Sequence, residues 1–298
     1  MPQEMWLTEL STHHAVSGIV DLPTGRQVAR FGTFLIIHTM HKLGQHFLTS
    51  AAIAKRIVES ANIQPTDIVL EVGPGKGMLT QFLVEKAKKV IAVEKDRQFV
   101  PYLREKYKNA KNLEVVEGDI LKHEAWNMKY GTSFKFQVSS FKIVANLPYY
   151  ITSRFLRLFL EEMPNKPQSM TLMVQKEVAE RICAKPPNMN LLALSVQAFG
   201  KPRILFRVAA GSFSPPPEVD SAVIAIENIS DAFFKKHHIS PKEFFELPKK
   251  AFSQKRKMLR SSFPKEKEFR KWNIRNFEKK RPQELSLEDW AIMFKAKL

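Results

Sequence analysis

A short strand that runs into a glycine-rich turn and then into a helix is the feature that most restricts the fold of this chain. Residues 67–72 form a β-branched run that predicts a buried strand, residues 73–77 (GPGKG) carry three glycines, and residues 78–83 have helical character. Glycine is needed there because the turn samples φ values that other residues resist and because its backbone must approach a ligand closely. This order of elements indicates the first unit of an α/β domain.

Four successive predicted strands end in a residue suited to a binding crevice. These residues are Gly73, Glu94, Asp119 and Asn146. Glu94 lies 17 positions past Gly77, about where an acid bonds ribose hydroxyls in nucleotide-binding α/β folds. Each polar residue alone could be a helix cap or a surface residue. Together they fit a doubly wound, Rossmann-like sheet whose strand tips line one crevice.

The segment after the fourth strand has the chemistry to hold a flat heterocycle that carries an amine. The side-chain carbonyl of Asn146 and the backbone carbonyl of Leu147 can accept hydrogen bonds from an exocyclic amine, and Tyr149 offers a π-face. Pro148 fixes its own φ and biases Leu147 toward an extended conformation, so the acceptors are held still. This set suits an adenine. The alternative is a strand that simply stops at a proline turn.

The remaining strands and the change of composition after them give the domain organisation. Further strands are predicted at residues 169–174, 203–208 and 221–226, which makes seven, and the rigid triple-proline loop before the last one presents Phe213 either as a second stacking face or as a core residue. The later chain is helical, with helices predicted at residues 244–259, 265–277 and 286–295. We therefore predict a loosely structured extension (1–39), an α/β domain (40–228) and a small helical domain (229–298).

The predicted helical domain is strongly basic. Residues 229–298 contain 19 Lys and Arg against 9 Asp and Glu, which is +10 of the net charge of +17. Such a surface attracts polyanions, of which nucleic acid is the commonest in a cell, although a merely solvated face is the alternative. Lys255, Arg256 and Lys257 are predicted to fan around a helix and, with Arg260, to contact an RNA backbone.

The sequence also limits the class of protein by what it lacks. One cysteine, Cys183, excludes an intramolecular disulfide framework and a multi-cysteine zinc site. No apolar run approaches the roughly 18 to 20 residues that a membrane span needs. We therefore expect a cytoplasmic monomer with no metal and no membrane partner.

At this point the motifs resemble the kasugamycin-sensitivity family of small-subunit rRNA adenine dimethyltransferases. The segments that carry the resemblance, from about Leu43 to the C-terminus, are 44–48 (GQHFL), 71–77 (EVGPGKG), Glu94, 117–119 (EGD), 146–151 (NLPYYI), 213–223 (FSPPPEVDSAV) and 251–257 (AFSQKRK). The resemblance implies a seven-stranded class I methyltransferase sheet with a small all-helical C-terminal domain. It implies dimethylation, from S-adenosylmethionine, of N6 of two adjacent adenosines near the 3′ end of 16S rRNA in a small ribosomal subunit precursor.

The resemblance also implies roles for individual residues. Those implied to bind S-adenosylmethionine are His46, Leu48, Gly73, Gly75, Glu94, Asp119 and Asn146. Among them, Glu94 would meet the ribose hydroxyls and Asp119 the adenine amine. Those implied to hold a flipped target adenine are Asn146, Leu147, Pro148 and Tyr149, with Phe213 stacking opposite.

Two departures and two alternatives stay open at this stage. Residues 1–39 have no counterpart in the family pattern, and residues 185–190 lack its tyrosine-glycine step, which leaves the shape of the substrate-side loop open. The erythromycin-resistance type of 23S rRNA adenine methyltransferase shares the fold and an Asn-x-Pro-Tyr motif, but the triple-proline loop and residues 254–257 favour the small-subunit family. The second alternative is a non-catalytic RNA-binding assembly factor, against which the four intact strand tips argue.

Overall fold

The structure is a computed structural model. It describes residues 46–122, 140–254, 256–263, 272 and 274–294, and the backbone of residues 20–22, 26–31 and 34–39. The chain divides into two compact units, Met1–Gln45 and His46–Leu298, each of which is described by itself.

The first unit contains a three-stranded antiparallel sheet. Its strands are β1 (Val20–Leu22), β2 (Arg26–Phe31) and β3 (Phe34–Thr39), and β2 pairs with both of the others. This differs from our expectation of a loosely structured extension over residues 1–39. The physical reason is local, because valine, isoleucine and phenylalanine recur in these segments and favour extended backbone.

The second unit is built on one mixed sheet of seven strands, as the sequence predicted. The described strands of the whole second unit, in chain order, are β4 (Phe47–Leu48), β5 (Ile68–Val72), β6 (Lys89–Glu94), β7 (Leu113–Glu117), β8 (Lys142–Asn146), β9 (Ser169–Gln175), β10 (Lys201–Val208), β11 (Phe213–Ser214) and β12 (Ser221–Glu227). The order across the large sheet is β10-β12-β9-β8-β5-β6-β7, while β4 and β11 pair with each other in a separate two-stranded sheet. Five neighbouring strands are mutually parallel, namely β9, β8, β5, β6 and β7 in sheet order, and β12 is antiparallel to β9 and β10.

The connections between the parallel strands create a topological switch point. From β5 the chain moves outward through β6 to β7, and it then returns to β8 on the other side of β5 and continues to β9. Loops that leave the carboxyl ends of β5 and β8 therefore diverge, and such a point in an open α/β sheet is where ligands bind.

Helices pack against both faces of this sheet, and further helices follow toward the C-terminal end of the chain. The described helices of the second unit are α1 (Ala51–Ser60), α2 (Thr80–Lys86), α3 (Phe99–Lys106), α4 (Thr152–Arg157), α5 (Lys176–Ile182), α6 (Leu191–Gln197), α7 (Ala232–His237), α8 (Pro241–Phe252), α9 (Leu259–Ser262) and α10 (Leu287–Phe294). Adjacent residues of β5 enter different cores, Val69 one hydrophobic cluster and Leu70 the other. Strands buried on both faces explain why their sequences are continuous apolar runs and do not alternate.

The C-terminal helices pack on the same core as one face of the sheet. The longest, α8, begins with a capping box in which the Ser240 hydroxyl accepts from the Glu243 N–H and the Glu243 carboxylate accepts from the Ser240 N–H. Its Phe244 and Phe245 belong to the hydrophobic cluster that contains Leu70 of β5. The division at residue 229 stays a prediction.

The end of α8 corrects the predicted environment of the basic segment. The helix stops at Phe252, where the Ser253 hydroxyl donates to the Lys250 carbonyl, and the next residues form a turn in which the Lys257 N–H donates to the Gln254 carbonyl. Arg256 and Lys257 therefore lie in an exposed turn and do not fan around a helix. Lys255 lies outside the described residues.

Within the described part of the chain, no helix is long and apolar enough to cross a bilayer.

Candidate active site

Strand register brings the predicted tip residues into one row. Val72 of β5 lies opposite Val93 of β6 on one side and opposite Ala145 of β8 on the other. The residues that follow these three positions are Gly73, Glu94 and Asn146. Asp119 lies two residues beyond the end of β7, and the Gly118 N–H donates to the Glu94 carbonyl. The sheet thus gathers all four predicted tips at one edge.

The glycine turn after β5 requires backbone conformations that favour glycine. Gly73, Gly75 and Gly77 have φ values of +65°, +55° and +78°. A Cβ on Gly77 would lie 2.8 Å from the Tyr107 ring, and one on Gly75 would lie 3.0 Å from the Phe47 ring. A Cβ on Gly73 would meet nothing within 4 Å. The backbone at Gly73 therefore borders open space, as a ligand that approaches the turn would need.

Glu94 fastens the glycine turn to the tip of β6. Its Oε2 accepts a hydrogen bond of 2.9 Å from the Gly75 N–H, and its Oε1 accepts one of 2.8 Å from the Asp96 N–H. The side chain is 5% exposed, and this burial raises the pKa of Glu94 although the backbone N–H groups of Asp96 and Gly75 lower it. Each oxygen keeps a lone pair for a further donor, such as a hydroxyl.

Asp119 is held in its charged form. Its Oδ1 accepts from the Leu121 N–H at 3.0 Å, and its Oδ2 lies 3.0 Å from the Lys95 ammonium. Burial alone would raise the pKa of Asp119, but the Leu121 N–H and Lys95 outweigh it and the pKa is lowered. A carboxylate at this position can accept a hydrogen bond from an amine.

Asn146 ends β8 with its side chain available to a ligand. Among the described residues, no hydrogen bond engages its amide. The next residue, Leu147, is 1% exposed and donates its N–H to the Met173 carbonyl at 3.1 Å, and Pro148 holds φ at −54° and ψ at 131°. The predicted acceptors therefore lie on a fixed segment of backbone.

Tyr149 is fixed from two sides. Its hydroxyl lies 2.8 Å from the Ser221 Oγ, and the His46 ring stacks on it with centroids 6.0 Å apart and planes inclined by 28°. His46 Nδ1 lies 2.8 Å from the Pro215 carbonyl oxygen, to which it donates in the Nδ1–H tautomer. The sequence predicted His46 and Tyr149 as site residues, but it gave no signal that they touch or that Ser221 takes part.

Phe213 occupies a core position. It pairs with Leu48 where β11 and β4 meet, and both side chains are buried, at 4% and 5% exposure, in one hydrophobic cluster. The sequence left two roles open for Phe213, a core residue or an accessible stacking face. Its burial favours the core residue. The β4–β11 pairing instead joins the segment after His46 to the segment before the triple-proline loop.

Four residues support the glycine turn but were not predicted as site residues from the sequence. They are Glu71, Thr80, Lys106 and Tyr107. Glu71 is 1% exposed and accepts a hydrogen bond of 2.7 Å from the Thr80 hydroxyl. The Tyr107 hydroxyl donates to the Gly77 carbonyl at 2.8 Å, and the Lys106 ammonium donates to the Lys76 carbonyl at 2.8 Å. The bonds from Lys106 and Tyr107 fix the turn from the C-terminal end of α3. They join residues 30 positions apart, so no local sequence pattern could reveal them.

We expect the stability of the protein to fall as pH rises because of Glu71. Burial raises its pKa to about 8 from the 4.5 of an ordinary glutamate. Between these values the folded state holds one more proton than the unfolded state, so the free energy of unfolding falls by up to about 1.4 kcal/mol per pH unit. Urea unfolding at several pH values checks this against Glu71→Gln, which keeps an acceptor for Thr80. The variant should have the flatter profile, and equal slopes would contradict the assignment.

No group of three or more potential metal ligands occurs among the described side chains.

The seven-stranded sheet with its antiparallel β12 and its row of strand tips defines a class I methyltransferase. Two solved structures share this fold. A dimethyladenosine transferase from Plasmodium falciparum superposes with a TM-score of 0.69 at 28% identity, over 83% of this chain and 96% of that one. A 23S rRNA methyltransferase, ErmE, superposes with a TM-score of 0.63 at 25% identity, over 84% of this chain and 98% of that one.

Sequence comparison gives the family. The family model described as ribosomal RNA adenine dimethylase matches residues 37–297, and the chain belongs to this family. Similar curated proteins include a ribosomal RNA small subunit methyltransferase A from Dehalococcoides mccartyi, 40% identical over 84% of this chain and 86% of the relative. Another with that name, from Clostridium botulinum, is 36% identical over 84% of this chain and 90% of the relative. Both the fold and the enzyme class expected from the sequence are confirmed.

Proposed function

We propose that this chain transfers methyl groups from S-adenosylmethionine to N6 of adenosine in small-subunit ribosomal RNA, and that it dimethylates two adjacent adenosines near the 3′ end. The observation that carries the proposal is the row of strand tips, in which Asn146, Glu94 and Asp119 flank an open glycine turn. The names of the curated relatives support the small subunit as the source of the RNA. Such a substrate favours the cytoplasm as the compartment.

The residues present fit S-adenosylmethionine. Gly73 leaves room for close approach of the methionine part, Glu94 keeps lone pairs for ribose hydroxyls, and the charged Asp119 can accept from the adenine amine. His46, which stacks on Tyr149, is proposed to border the same site, whereas the side chain of Leu48 is buried in the hydrophobic cluster beside Phe213. The cofactor supplies an electrophilic methyl group.

The segment Asn146–Tyr149 fits the target base. Adenine N6 has a lone pair that is delocalised into the ring, so catalysis depends on orienting this nitrogen more than on a strong base. The Asn146 side-chain oxygen and the Leu147 carbonyl accept hydrogen bonds from the two N6–H groups and thereby orient the nitrogen. Tyr149, held by Ser221 and His46, presents the remaining face of its ring to the flipped base, and this stacking offsets part of the cost of extruding it.

The basic turn after α8 supplies contacts to the RNA backbone. Arg256, Lys257 and Arg260 are exposed. Reversal of Lys255, Arg256 and Lys257 to Glu should weaken RNA binding at least about tenfold at moderate salt and reduce the salt slope, because each lost phosphate contact removes about 0.7 to 0.9 from it. Filter binding over a series of salt concentrations measures both quantities.

A matched control tests whether position or total charge matters. Lys86, Lys88 and Lys111 are exposed and adjoin the amino ends of β6 and β7, at the sheet edge opposite the strand tips. Their reversal to Glu makes the same change in net charge and should cost much less affinity. An equal loss in both triple variants would remove the turn after α8 from the RNA site.

Transfer of label decides which RNA is the substrate. The purified chain is incubated with labelled S-adenosylmethionine and with undermodified small or large ribosomal subunits in parallel. We expect label in small-subunit RNA alone. Label in large-subunit RNA would support the erythromycin-resistance type of activity, and cofactor binding without label in either would support a non-catalytic assembly factor.

A further inference from the structure

Tyr150 is an aromatic side chain that the proposed chemistry leaves unused. It is 64% exposed, the most exposed of the large hydrophobic residues in the described part of the chain. Its neighbours in the short 3₁₀ turn Tyr149–Ile151 face inward, since Tyr149 is half-buried against Ser221 and Ile151 is 8% exposed. Three residues per turn direct successive side chains about 120° apart, so this turn presents the middle ring outward.

The position of this ring places it at the mouth of the proposed active site. Tyr150 is the fourth residue after Asn146, at the carboxyl end of β8. Lys95 follows Glu94 at the carboxyl end of β6, and β5 with its glycine turn lies between these two strands. The ring and the cation thus stand on opposite sides of the crevice.

Lys95 offers an exposed positive charge on its own side of the crevice. Its ammonium lies 3.0 Å from Asp119 Oδ2, and this carboxylate raises the pKa of Lys95. The Lys95 side chain is 58% exposed, so part of it faces solvent although its ammonium contacts Asp119. An exposed aromatic face and a cation that line the same groove are the combination that binds single-stranded nucleic acid through base and phosphate together.

We propose that Tyr150 stacks on the base next to the target adenosine, with Lys95 on the other side of the crevice available to a backbone phosphate. This inference rests on the proposed function and extends it from one base to two. Tyr149 cannot supply the second surface, because His46 already stacks on it and Ser221 holds its hydroxyl. The two adjacent tyrosines therefore have different roles, Tyr149 for the target base within the crevice and Tyr150 for its neighbour at the rim.

The test uses a short single-stranded oligoribonucleotide with two adjacent adenosines, in the presence of S-adenosylhomocysteine so that no methyl group is transferred. Tyr150→Ala should weaken binding by about fivefold to a hundredfold, the range found for base–aromatic stacking. Tyr150→Trp should retain affinity. Ile292→Ala, which truncates a 41% exposed side chain on α10, is the matched control and should bind as the unaltered protein does.

A second RNA separates stacking from other effects. In this RNA the base beside the target adenosine is removed, so Tyr150→Ala and the unaltered protein should bind it equally. In a third RNA, 2-aminopurine replaces the base beside the target adenosine. Its fluorescence should be quenched by the unaltered protein and not by Tyr150→Ala. Equal losses on intact and abasic RNA, or no loss on either, would overturn the inference.

The two hypotheses fail in distinguishable ways. Normal methyl transfer and normal binding by Tyr150→Ala would overturn the role of Tyr150 and leave the proposed function intact. Quenching that depends on Tyr150, combined with no methyl transfer to any ribosomal RNA by the unaltered protein, would support the stacking surface and overturn the proposed function.

Discussion

Asn146→Ala should lower kcat for methyl transfer by about 100- to 1000-fold, the loss typical of removing one preorganised hydrogen-bonding group from an active site. The side chain has no hydrogen-bond partner among the described residues, so its removal should not disturb the fold. Leu147 keeps its bond to Met173, and the backbone of the tip should stay in place. What is lost is the acceptor that we propose orients N6 of the target adenine.

Separate measurements of cofactor binding and turnover distinguish this role from a structural one. S-adenosylhomocysteine affinity, by calorimetry, should change little in Asn146→Ala. Asn109→Ala, at an exposed asparagine in the turn after α3, is the matched control and should keep full activity. If Asn146→Ala and the unaltered protein turned over equally, the assignment of Asn146 would be wrong.

Glu94→Gln should weaken cofactor binding about tenfold to a hundredfold. The two carboxylate oxygens of Glu94 accept from the Gly75 and Asp96 N–H groups, whereas a glutamine must turn its NH₂ toward one of these donors. A buried N–H left without an acceptor costs about 1 to 3 kcal/mol, which is about 5- to 150-fold in affinity. We expect the glycine turn, which we propose borders the cofactor, to be displaced at the same time.

Glu117→Gln is a matched control for this effect. Glu117 lies directly opposite Glu94 in the register of β6 and β7, but it is exposed and pairs with Arg97 at 2.9 Å. Its substitution makes the same chemical change at a neighbouring strand tip and should leave cofactor affinity within about twofold, since exposed ion pairs contribute little. Comparable losses in both variants would show that Glu94 has no special place in the site.

The sequence predicted the strands and their polar ends because those signals are local. Continuous β-branched runs marked the buried strands, and the special conformation of the turn required the glycines that revealed it. The capping box at Ser240 is also a local signal, but the predicted helix began at residue 244 and missed it. By contrast, the placement of antiparallel β12 between β9 and β10 depends on contacts between distant segments.

The site details that sequence reasoning missed also depend on distant contacts. Phe213 is buried because β11 pairs with β4, which lies some 165 positions earlier. Burial in the assembled sheet raises the pKa of Glu71. The residue type alone does not indicate this burial. The bonds from α3 to the glycine turn have the same origin. The helix α8 ends at Phe252, seven residues before its predicted end. The Ser253 hydroxyl donates to the Lys250 carbonyl there, and the apolar pattern from which the helix was predicted does not reveal this bond.

The measurement that tests the central claim most directly is the identity of the methylated nucleoside. Small-subunit RNA labelled by the purified chain is digested to nucleosides, which are separated and analysed by mass. We predict N6,N6-dimethyladenosine as the labelled product, formed at least about 100-fold more slowly when Asn146→Ala replaces the unaltered protein. Label in any nucleoside other than an N6-methylated adenosine, or unchanged N6,N6-dimethyladenosine with Asn146→Ala, would contradict the account.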